Sequence, residues 1–89
     1  MFSVRWVPSA LRDLADFWTD SDSTTRQQIT DAVREIDRIL EIDAETAGES
    51  RDPGFRVLLV TPIGVEYVIR DSERSAFVIR VWHFSARSR

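Results

Sequence analysis

One histidine, one tyrosine and a group of arginines are the side chains of this 89-residue sequence whose chemistry could do more than fold it. His83 carries the imidazole, the side chain that titrates nearest neutral pH and so suits general acid or base work. Arg51, Arg56, Arg80 and Arg87 offer planar guanidinium forks, the shape that holds a phosphate or a carboxylate by two parallel hydrogen bonds. Tyr67 adds a phenol. Each also has an ordinary reading. His83 reads as a lone surface or half-buried histidine, and Arg56 and Arg80 as partners of nearby acids such as Glu66. Tyr67 is in step with Val65 and Ile69, which favours a core tyrosine with its hydroxyl at the edge.

The composition excludes several classes of function. There is no cysteine, so no disulfide framework, thiolate metal site or thiol nucleophile, a pattern that fits a reducing cytoplasm. The longest stretch free of charge runs nine residues, Val57 to Val65, against the roughly 20 that a membrane-spanning helix needs. Residues 1 to 6 have neither the basic start nor the apolar run of a signal peptide. With 43% hydrophobic residues, five phenylalanines and three tryptophans, the chain can build a core as one small domain over residues 1–89. Lysine is absent. Residues 1 to 50 hold five arginines against eleven acids, net −6, and residues 51 to 89 hold seven against four, net +3. A basic half on an acidic protein sets up a local field, so a phosphate-binding side belongs to the second half.

The elements that must position these groups follow from periodicity. Phe2, Val4 and Trp6 alternate with polar residues and predict a strand that ends at Val7-Pro8. Ser9 is placed to cap a helix carrying Ala10, Leu11, Leu14, Phe17 and Trp18 at spacings of three and four. Thr24 with Gln27 has capping-box spacing before a second helix striped by Ile29, Val33, Ile36 and Leu40. From Ile42 to Gly54 the periodicity fails, which predicts a loop. Phe55–Val60, Val65–Arg70 and Ala76–Phe84 are β-rich runs joined by short polar links, an antiparallel meander. The expectation is an α+β, two-layer β-α-α-β-β-β domain, with a helical hairpin packed on one face of a mainly antiparallel four-stranded sheet. Simple alternation puts Phe77, Ile79, Val81 and His83 on one face, with Val78, Arg80, Trp82 and Phe84 on the other. His83 and Arg80 then point apart unless a bulge intervenes, and Arg87 in the tail reaches His83 more readily than Arg80 does. Phe77, Trp82 and Phe84 read as core rather than as a base-stacking platform, and Asp20 with Asp22 as a solvated cap rather than a metal site.

That order of elements resembles the RelE/ParE superfamily of bacterial toxins from type II toxin–antitoxin systems. The residues that carry the likeness are Val4-Arg5-Trp6-Val7-Pro8-Ser9-Ala10 leading into Asp13-Leu14, then Ala32 to Leu40 and Gly48-Glu49-Ser50-Arg51. Arg56-Val57-Leu58, Pro62-Ile63-Gly64-Val65-Glu66-Tyr67 and Arg80-Val81-Trp82-His83 follow in the same order. The resemblance implies a protein that arrests growth when free and is neutralised by a cognate antitoxin, in a homodimer or a toxin–antitoxin hetero-oligomer, with no cofactor, metal or membrane. It implies one of two actions. RelE-like members cut mRNA on the ribosome, which here would draw on His83, Arg56, Arg87 and Tyr67 as catalytic groups, with Arg51, Arg56 and Arg80 on phosphate. ParE-like members inhibit DNA gyrase without cutting nucleic acid. A non-toxic module that keeps the fold and binds its partner through an exposed edge such as Phe2–Val7 is the alternative.

One departure bears on the choice. RelE-like nucleases commonly place an arginine just before the apolar-apolar-Tyr segment of the third strand, and this chain has Gly64 there. Losing one such preorganised charge typically costs about 2.7 to 4 kcal/mol of transition-state stabilisation. Unless Arg56 or Arg51 substitutes, cleavage is expected to be slow or absent. The sequence pI near 5.0 also weakens long-range steering toward ribosomal RNA.

Overall fold

The residue before a proline is pushed to extended geometry, and Val7 obeys, with φ −67° and ψ 158°. There the chain turns from strand β1 (Ser3–Trp6) into helix α1 (Pro8–Thr19). The computed structural model describes residues 1–51 and 54–84. Pro8 starts α1, Val7 is its N-cap without a side-chain bond, and Ser9 is therefore inside the helix rather than capping it. Three side-chain bonds close its far end. Ser21 Oγ donates to Phe17 O (2.7 Å), and Arg26 donates from Nε to Trp18 O (2.9 Å) and from its terminal nitrogen to Thr19 O (3.2 Å). Helix α2 (Ser23–Asp43) is capped by Asp22, whose carboxylate accepts from Thr25 N at 2.8 Å, in place of the expected Thr24–Gln27 box. That bond holds the Asp22 carboxyl below its ordinary pKa.

The remaining elements are β2 (Glu49–Arg51), β3 (Phe55–Val60), β4 (Ile63–Arg70), a 3-10 turn (Asp71–Glu73) and β5 (Ser75–His83). Among the described residues the sheet has five strands in the order β1-β5-β4-β3-β2, with β1 parallel to β5 and the other pairs antiparallel. The expected four-stranded sheet is thus corrected to five. The added strand, β2, has only three residues, all exposed, with no apolar alternation to announce it. It forms because Gly48, at φ +65°, brings the chain against β3 so closely that a Cβ would collide with the Val57 carbonyl oxygen.

Both helices pack on one face. Ile29, Ala32, Ile36 and Leu40 of α2 and Ala10 of α1 are buried with Phe2, Ile63, Val65, Tyr67, Ala76, Val78 and Val81. Trp6 ties β1 to this layer by donating from Nε1 to Asp37 Oδ1 at 2.8 Å. The alternation expected of the last strand is broken by a β-bulge. Glu66 pairs with Arg80 but Tyr67 pairs with Val78, leaving Ile79 as the extra residue. Ala76, Val78 and Val81 can therefore all be buried, and Phe77 falls on the face opposite Val81 instead of beside it. Among the described residues no helix is long and apolar enough to cross a membrane.

Asp37→Ala leaves the half-buried Trp6 indole N–H without its acceptor. It is expected to destabilise the fold by about 1–2 kcal/mol, measured as a lower denaturant midpoint followed by tryptophan fluorescence.

Candidate functional site

The structure distributes the candidate side chains over three places. Arg56 and Tyr67 lie opposite each other in register across β3 and β4, on the helical side of the sheet. Tyr67 is fully buried, and its hydroxyl lies 2.8 Å from Ala44 O and 2.9 Å from Ala47 O, to which it donates. Arg56 Nε donates to Ala47 O at 2.8 Å, with a longer contact of 3.4 Å to Gly48 O. Both side chains are spent on the carbonyls of the link between α2 and β2. Burial pushes the Tyr67 phenol above its ordinary pKa of 10.0, while the neighbouring Arg56 guanidinium pulls the other way.

His83 stands at the end of β5, opposite Ile63, with an exposed side chain. Its ring lies 4.7 Å from that of Phe17, tilted by 40°, so it faces α1 rather than the open side of the sheet. One turn earlier on α1, Asp13 Oδ2 accepts from Val81 N at 3.5 Å and holds the helix against this end of the strand. Arg87, the expected neighbour of His83, lies outside the described residues.

Arg51 and Arg80 share the third place, the face of the sheet that neither α1 nor α2 covers. With Val57, Glu66 and Trp82 they line a shallow hollow of about 450 Å³. Arg80 contacts Glu66 at 3.4 Å and lies over the Trp82 ring at 5.8 Å, and Arg51 pairs with Glu49 at 2.9 Å. Arg80 and His83 thus remain on opposite faces even with the bulge. The floor of this face is set by Gly64, which pairs with Leu59 on one side and Trp82 on the other. A Cβ at Gly64 would lie 2.6 Å from the Trp82 indole and 2.8 Å from Leu59 Cδ2. The place where an arginine was expected is roofed by an indole. Trp82 and Glu66, passed over as core and as a pairing partner, are the residues this face adds. A glycine inside a strand signals such a close approach, and that signal was present at Gly64. A larger hollow of about 490 Å³ between α1 and α2 is walled mainly by apolar side chains such as Leu14, Trp18, Ile29 and Val33, and holds none of the candidate chemistry.

No protein-family model matches the chain, and no curated protein matches it. Solved structures do. A chain of the chromosomal ParDE toxin–antitoxin system from P. aeruginosa superposes with a TM-score of 0.74 at 19% identity, over 96% of this chain and 98% of that one. A chain of the RelBE2 toxin–antitoxin complex from Mycobacterium tuberculosis gives 0.73 at 20%, over 92% and 90%. The isolated E. coli RelE toxin gives 0.64 at 22%, over 99% and 88%. The fold is the one these ParDE, RelBE2 and RelE chains show, here with two helices on one face of a mixed sheet.

Two outcomes follow from this geometry. Tyr67→Phe removes the buried hydroxyl from two carbonyls and is expected to cost about 1–3 kcal/mol in chemical denaturation. Because the folded state holds the phenolic proton above 10.0, the unfolded chain loses that proton first as pH rises. The contribution of Tyr67 is therefore intact below pH 10 and declines above it, a decline that Tyr67→Phe abolishes. Tyr67 is the only tyrosine, so its phenolate absorbance reports the titration directly. Gly64→Ala forces the Trp82 indole off the strand, with an expected loss of about 1–3 kcal/mol and a shift in tryptophan emission.

Proposed function

We propose that residues 1–89 form a single toxin domain of a type II toxin–antitoxin pair, which arrests growth by binding its target rather than by cutting RNA. The observation that carries this reading is the separation of the groups a nuclease would need to combine. His83 rests on Phe17 at the α1 side, Arg56 and Tyr67 are engaged on loop carbonyls, and Arg80 and Arg51 lie on the opposite face. Proton transfer to or from a reacting group needs donor and acceptor within about 3 Å, directly or through one water, with the cations on the same phosphate. Trp82 over Gly64 removes the position at which a further arginine would stand.

The toxin role is supported by the likeness over nearly the whole chain to chains of the ParDE and RelBE2 toxin–antitoxin structures and to the isolated E. coli RelE toxin. A cognate antitoxin as partner is supported by the neighbours that are toxin–antitoxin complexes, such as the intact E. coli RelBE complex. DNA gyrase is the target that the ParE side of the resemblance implies.

Inducing this chain alone in a bacterium is expected to stop growth within minutes while mRNA stays intact, and the purified chain is expected to inhibit gyrase supercoiling. His83→Ala leaves both effects unchanged. New mRNA 5′-ends at ribosomal A-site codons that vanish in His83→Ala would overturn the reading and restore the enzyme. Normal growth would remove the toxin role.

A further inference from the structure

We draw no further inference here: the strongest candidate, the apolar groove between α1 and α2 lined by Leu11, Leu14, Trp18, Ile29 and Val33, carries nothing because nothing in the structure shows what covers it.

Discussion

The chemistry of the open face depends on one absent side chain. Gly64 sits in the middle strand of the sheet between Leu59 and Trp82, and a single added carbon there would lie 2.6 Å from the indole. Because it is absent, the Trp82 indole can approach the Gly64 backbone, and Arg80 lies 5.8 Å from its ring centre. That arrangement turns a strip of strand into a hollow with an aromatic wall and two partly engaged arginines. It also occupies the place where a third cation over a phosphate would have to stand.

The opposite face is governed by satisfaction of buried polar groups. Tyr67 brings a hydroxyl into the core, and such a group costs stability unless it is hydrogen-bonded. The carbonyls of Ala44 and Ala47 supply the acceptors, and Arg56 reinforces the second. The same bonds fix the link out of α2, which lets the three-residue β2 pair with β3 and places Arg51 at the rim of the open face. Tyr67 and Arg56 thus act on the open face from behind, through backbone, without touching it.

Much of this was legible in the sequence. The two helices and the meander followed from apolar periodicity. What was not legible has particular causes. β2 is stabilised by pairing and by a positive-φ glycine rather than by an apolar pattern, so three exposed polar residues looked like loop. The helix caps moved because Pro8 and Asp22 compete for the same turns as Ser9, Thr24 and Gln27. Strict alternation failed at Ile79, since a bulge shifts every later side chain of β5 relative to the earlier ones. The expectation that His83 and Arg80 point apart nevertheless agrees with the structure, because both follow the bulge. Trp82 reads as core from sequence because aromatic residues in strands usually are, and its place on the open face shows only in the register that sets it against Gly64.

We propose that this fold is kept here without an assembled RNA-cleaving site. It is tested most directly with purified chain in excess over ribosomes programmed with a defined message, followed by primer extension across the A-site codon. Full-length message is expected after prolonged incubation. Cleavage at the A-site codon that disappears when His83 is replaced by alanine would contradict it.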